Sequence, residues 1–200
     1  MVGLETNTPA ATDIVREIQI GADRDRLTAL EWLVTNGLGG YASGTLGGVL
    51  ARRYHALLIG ALPAPLGRVV LVSHLDERVR LPSGQIGWLS RPGGAPNDVI
   101  TRFRLTSGLP VWTYQLDGVT IEKRLFMPRL QNTVIVTYTV TRADRPFRFG
   151  IRPHLHARPH EASVDYPLPA SPVLVARGGH LEAMVDPSVP PLTFGLRDHE

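Results

Sequence analysis

Short apolar runs, interrupted every few positions by glycine or proline, set the pattern of this chain. Seven of them read as strands: 69–75, 101–105, 111–116, 119–126, 133–141, 147–151 and 173–176. Within 133–141, Val134, Val136, Tyr138 and Val140 alternate with Thr and Ile, which puts each set on one face of a sheet. Asp117-Gly118 separates two such runs and predicts a two-residue hairpin turn. Residues 82–84 and 91–94 read as loops on the same turn chemistry. Only 11–18 and 25–30 have the makings of short helices. The stretch 153–172 is expected to be the loosest, because Pro153, Pro159, Pro167, Pro169 and Pro172 cannot donate to a strand ladder. The sum is an all-β chain, an antiparallel β-sandwich with few short helices.

Composition narrows the class further. Hydrophobic residues make up 43% and charged residues 20%, enough apolar material to bury a core. Lys and Arg outnumber Asp and Glu by 21 to 18, and the arginines are scattered rather than blocked. No basic face is formed, so nucleic acid is not an expected partner. The chain has no cysteine, which excludes disulfides, thiolate nucleophiles and cysteine-ligated zinc and fits a cytoplasmic protein. Glu5, Asp13, Arg16 and Glu17 break up the first nineteen residues, which do not read as a signal peptide. No apolar run approaches the ~20 residues of a membrane span. Residues 1–24 read as a lead-in and 25–200 as one sandwich domain.

The most unusual segment is Glu31-Trp32-Leu33-Val34-Thr35-Asn36-Gly37-Leu38-Gly39-Gly40-Tyr41-Ala42-Ser43-Gly44-Thr45, followed by Ala51-Arg52-Arg53-Tyr54-His55-Ala56-Leu57-Leu58. Glycines let another backbone or a ligand come close, and Asn, Arg, Tyr and His hydrogen-bond and stack on polyhydroxylated rings. Residues 37–42 also satisfy the G-x-G-x-x-A dinucleotide pattern. That motif requires a helix directly afterwards and an acid ~20 positions on. Ser43-Gly44-Thr45-Leu46-Gly47-Gly48 is poor helix material, and no Asp or Glu occurs between Glu31 and Asp76. A plain structural reading also stands, in which the glycines turn a hairpin and Arg52 and Arg53 face water.

Taken together, the two segments resemble the N-terminal domain of bacterial and archaeal-type glycogen debranching enzymes, the amylo-α-1,6-glucosidase family. Further segments match in order: Gly67-Arg68-Val69-Val70-Leu71-Val72-Ser73-His74-Leu75-Asp76-Glu77, then Val111-Trp112-Thr113-Tyr114, Gly118 to Arg124, and Gln131-Asn132-Thr133-Val134. The resemblance covers roughly residues 31–161. Two departures are visible: Ala56 stands where family members usually carry Gly, and Arg158-Pro159-His160-Glu161 where they tend to read Arg-Asp-Tyr-His.

The resemblance implies a supersandwich-like domain packed against a C-terminal catalytic (α/α)6 barrel, in a protein that hydrolyses α-1,6 branch points of glycogen or a related α-glucan. The chain is accordingly expected to be cut short of that barrel, since the strand-like run 192–196 has no obvious closing element. Glycoside hydrolysis needs two carboxyl groups about one bond. Asp76 and Glu77 are adjacent on a strand and point to opposite faces, reading as a solvated strand end. Glu161 and Asp165 lie in the proline-rich stretch. No catalytic residue is expected here, and this chain alone is not expected to be active. The expected glucan-binding residues are Asn36, Tyr41, Arg53, Tyr54 and His55, with no cofactor and no metal. Those residues either contact sugar hydroxyls or fix the loop.

Two alternatives come from the residues themselves. His154-Leu155-His156 followed by Glu161 has the H-x-H-x4-E spacing of a cupin-like metal-binding β-barrel, although Pro153 and Pro159 interrupt the strand. A stand-alone carbohydrate-binding module would stack sugars on Trp32, Trp88 or Trp112. Each of those tryptophans also suits core or hairpin packing.

Overall fold

The computed structural model describes residues 15–20, 25–90, 99–168 and 171–197. Three antiparallel sheets hold nearly all of its regular secondary structure. The first has five strands in the order β1 (Val15–Gln19), β7 (Ile100–Thr106), β8 (Leu109–Leu116), β9 (Val119–Phe126) and β10 (Ile135–Ala143). The second runs β11 (Arg148–Pro159), β5 (Arg68–Arg80), β4 (Ala56–Ala61), β3 (Tyr41–Thr45) and β2 (Glu31–Thr35), with β6 (Ile86–Ser90) also paired to β5. A small third sheet holds β12 (Val173–Arg177), β13 (His180–Met184) and β14 (Leu192–Gly195). The one described helix is α1 (Arg26–Ala29), within the expected 25–30. Among the described residues no helix is long and apolar enough to cross a membrane.

The two large sheets meet through one apolar core. In β9 the period-two pattern turns Val119, Ile121, Lys123 and Leu125 inward. Phe103, Trp112 and Tyr114 join them from the same sheet, facing Leu58, Leu71, Val79 and Leu89 of the other. Trp112 is a core residue, edge-on to Trp32 at 5.3 Å between ring centroids, with its indole N–H donating to the Leu46 carbonyl at 3.1 Å. The expected turn at Asp117-Gly118 is present, with φ of 37° and 80°, and it sets Leu116 opposite Val119. The 133–141 alternation is realised only in part. Val136 and Tyr138 are half-buried against the core, but a bulge follows Val140 and leaves it exposed.

Three expectations are corrected. Residues 15–18, read as part of a helix, belong to β1; residues 11–14 of that reading lie outside the described residues, as does the 91–94 loop. β1 adds to the open edge of β7, pairing Val15 with Thr106 and Gln19 with Arg102, and this pairing outweighs weak local helix preference. The proline-rich stretch begins inside a long strand, because β11 runs through Pro153 to Pro159 along β5. It is an edge strand, where a residue without an N–H is tolerated, and it absorbs register shifts at His154/Leu155 and Leu155/Arg158. Finally, Asp76 and Glu77 are no solvated strand end: β5 continues to Arg80, Asp76 is 8% exposed and Glu77 is fully buried.

Candidate functional site

The glycine-dense segment folds as the β2–β3 hairpin, with Thr35 opposite Tyr41 and residues 36–40 forming the loop between them. Asn36 organises that loop from beneath. Its Oδ1 accepts the N–H groups of Leu38 (2.9 Å) and Gly40 (3.0 Å), and its Nδ2 donates to Gln131 O (2.9 Å) and Asn132 Oδ1 (3.0 Å). Gly40 is required by proximity, since a Cβ there would lie 2.6 Å from Asn36 Nδ2 and 2.8 Å from Ile59 O. Gly39 adopts φ of 96°, and Arg68 Nε donates to its carbonyl at 2.8 Å, pinning the loop tip.

Beside this hairpin lies an open groove of about 640 Å³. Leu33, Thr35, Tyr41 and Ser43 line it from β2 and β3, Arg68 from the first position of β5, and Arg52, Tyr54 and His55 from the turn before β4. The exposed Arg53 guanidinium lies 4.8 Å from the Tyr54 ring centroid, and its Nη2 donates to the Tyr54 hydroxyl at 2.6 Å. Arg53 also meets Glu161, through the carbonyl at 3.3 Å and the carboxylate at 3.5 Å. Arg52, expected in one reading to face water, pairs with Glu31 at 2.6 Å on the exposed rim.

His55 is buried. Its Nδ1 accepts the Ala51 N–H at 3.1 Å, so the ring proton resides on Nε2, which is 3.5 Å from Glu31 Oε1. Burial holds the imidazole below its ordinary pKa, with Glu31 acting in the opposite direction. Glu31 is itself lowered, chiefly by its hydrogen bond from Arg52. Burial raises the Tyr41 phenol.

The structure therefore brings Tyr41, Tyr54 and His55 to the groove, places Arg53 behind Tyr54, and puts Asn36 under the loop. Sequence reasoning missed Arg158, which is 3% exposed yet donates from Nη2 to Arg53 O at 2.9 Å and from Nη1 to Ala162 O at 2.8 Å. Its sequence signal was an Arg in the segment that departs from the family pattern. The neighbouring His160 packs against Tyr54 at 6.0 Å between rings, so this loop does reach the site.

The other expected chemistry is dispersed. Glu77 points into the core against Lys123 and Tyr138, whereas Asp76 meets Arg152, His74 and His154. Among the described residues His156 and Glu161 join no metal-type cluster: His156 Nδ1 accepts the Ala157 N–H, and Glu161 pairs with Arg53 and His160. Burial and the nearby His154 push the His74 imidazole down to about 4.

Fold and site together define an antiparallel sandwich domain with a preformed polar and aromatic groove on its outer face. Residues 30–198 match the family described as "Glycogen debranching enzyme N terminal", and the chain belongs to that family. No curated protein and no solved structure matches it.

Proposed function

We propose that the groove binds α-glucan, and that the domain serves as the N-terminal part of a cytoplasmic enzyme that hydrolyses α-1,6 branch points. In this reading the sandwich of residues 25–200 packs against a following (α/α)6 catalytic domain, which carries the hydrolysis. Family membership supports the enzyme assignment. The observation that carries glucan binding is the convergence of Tyr41, Tyr54 and His55 on one groove of about 640 Å³, within the ~300–1,000 Å³ usual for small-molecule sites. Phenol rings offer a stacking face together with a hydroxyl, the combination a sugar ring needs. Asn36 and Arg53 act as supports, holding the loop and the Tyr54 ring.

The test is calorimetric titration of the chain with maltoheptaose and with a branched α-glucan. Tyr41→Ala and Tyr54→Ala should each weaken binding by about tenfold, or ~1.4 kcal/mol; Tm should hold in Tyr54→Ala and fall in Tyr41→Ala, whose ring packs on Ile59 and Val70. In the full-length enzyme, Arg53→Ala should raise KM or lower kcat at unchanged thermal stability. Unaltered affinity and kinetics in these variants would remove the binding role.

A further inference from the structure

A second cluster lies away from the groove, on β5 and β11. His74 and Asp76 are two residues apart on β5 and share a face. His154 is the register partner of His74 on β11, and the two imidazoles stack with centroids 3.9 Å apart and planes 18° from parallel. One potential ligand atom from each of His74, Asp76 and His154 falls within 4.8 Å of the others.

The hydrogen bonds around the cluster determine where its lone pairs point. Ser73 Oγ donates its single proton to the His154 carbonyl at 3.1 Å. The same oxygen is 3.0 Å from His74 Nδ1, so it can only accept there, and His74 must carry its proton on Nδ1. His74 Nε2 is then a bare acceptor, 3.8 Å from the Asp76 carboxylate, which is also an acceptor. His154 Nε2 is 3.0 Å from Asp76 Oδ2 but outside hydrogen-bonding geometry, and this buried atom has no hydrogen-bond partner. Arg152 already donates to Asp76 Oδ2; the lone pairs on Asp76 Oδ1 and His74 Nε2, with His154 Nε2 beside them, are the donor set that a second cation would take.

We propose that His74, Asp76 and His154 form a binding site for one borderline divalent transition-metal ion of the zinc, cobalt or iron(II) class. Two imidazoles and a carboxylate suit that class, and bonds of ~2.0–2.2 Å put neighbouring ligand atoms ~3–4 Å apart. To hold one ion, the two imidazoles must turn out of their near-parallel stack so that their in-plane lone pairs converge. Ser73 holds the outer nitrogen of His74, the usual second-layer support of a metal-binding imidazole. Arg152, which also contacts Asp76, has an exposed side chain free to yield its place to the ion. The ion would tie β11 to β5 beside the register shift at His154/Leu155. The site is independent of glucan binding. It also differs from the cupin spacing in taking its ligands from two strands and omitting His156 and Glu161.

The experiment is to strip the chain with chelator and titrate it with Zn²⁺ by calorimetry, then with Co²⁺ by visible absorption, at neutral pH. The expected result is one ion per chain, a higher Tm with Zn²⁺, and a cobalt d–d band characteristic of nitrogen and oxygen ligands. His74→Gln and His154→Gln should each weaken binding by at least about tenfold, while His156→Gln leaves it intact. Circular dichroism reports whether each variant is folded. If Asp76→Asn fails to fold, the two histidine variants decide the matter. Absence of stoichiometric binding by the folded chain, binding that survives both histidine changes, or loss in His156→Gln alone would overturn the site.

Discussion

The ammonium of Lys123 lies 2.7 Å from Oε1 and 2.9 Å from Oε2 of Glu77, joining the two large sheets through the middle of the sandwich. Glu77 is fully buried, and Tyr138 adds a hydroxyl donor to the same carboxylate. Burial followed by the Glu77 charge raises the Tyr138 phenol well above its ordinary value, which keeps it a donor. Removing one member of a buried pair strands the other. Lys123→Met should therefore cost about 3–5 kcal/mol in urea unfolding. The double variant Lys123→Met/Glu77→Leu should recover part of that, retaining a deficit of about 1–3 kcal/mol from the orphaned Tyr138 hydroxyl. Simple additivity of the two single losses would show that the pair is uncoupled.

Asn36 is the support of the glycine loop, so its loss should appear in stability before chemistry. Asn36→Ala leaves the buried N–H of Gly40 without its acceptor and Gln131 O without a donor. A loss of about 2–4 kcal/mol follows from orphaning such groups, with weakened glucan affinity as a consequence. Asn36→Asp should be at least as damaging, because an acceptor then faces Gln131 O and Asn132 Oδ1. A variant with wild-type Tm would contradict this role.

His55 makes the rim of the groove sensitive to acid. Its folded pKa is below the ordinary 6.5, so between those two values the unfolded chain holds a proton that the folded chain does not. The stability contributed by neutral His55 is thus fully present above pH 6.5 and is lost as pH falls toward the folded value. Protonating Nδ1 also breaks its hydrogen bond from Ala51. His55→Asn keeps an acceptor in place without titrating there. Unfolding midpoints measured from pH 7.5 down to 5 should fall less steeply in this variant than in wild type. Parallel curves would count against His55, leaving the slope to His74 and His156, which burial also holds low.

Arg158 staples the Arg53-Tyr54 turn to the loop after β11. Arg158→Met should free both backbone carbonyls that it now joins, costing about 1–3 kcal/mol, and should raise the glucan Kd. Arg158→Lys should recover only part, since one ammonium cannot reproduce the planar fork. Hydrogen exchange at residues 51–55 and 160–162 reads the effect directly; unchanged protection in Arg158→Met would show that the staple holds nothing.

Much of the fold was legible in local pattern. The strand at 119–126, the Asp117-Gly118 turn and the hairpin turned by the glycine-dense segment each depend on residues a few positions apart, and each appears as read. The helix reading of 11–18 failed over its described part because an open strand edge on β7, more than 80 positions away, claimed those residues. Pro153 read locally as a strand breaker, yet an edge position made it acceptable.

By itself the sequence determined the all-β class, the hairpin turns and the aromatic and polar residues offered near the glycine loop. Those properties follow from backbone preference and side-chain period, which act over a few residues. Tertiary structure decided which of those residues share a surface. It set Arg158 on a carbonyl 105 positions earlier, buried Glu77 against Lys123, and placed His154 beside His74. Such meetings are fixed by strand order and register across the sheets, and no local spacing in the chain encodes them.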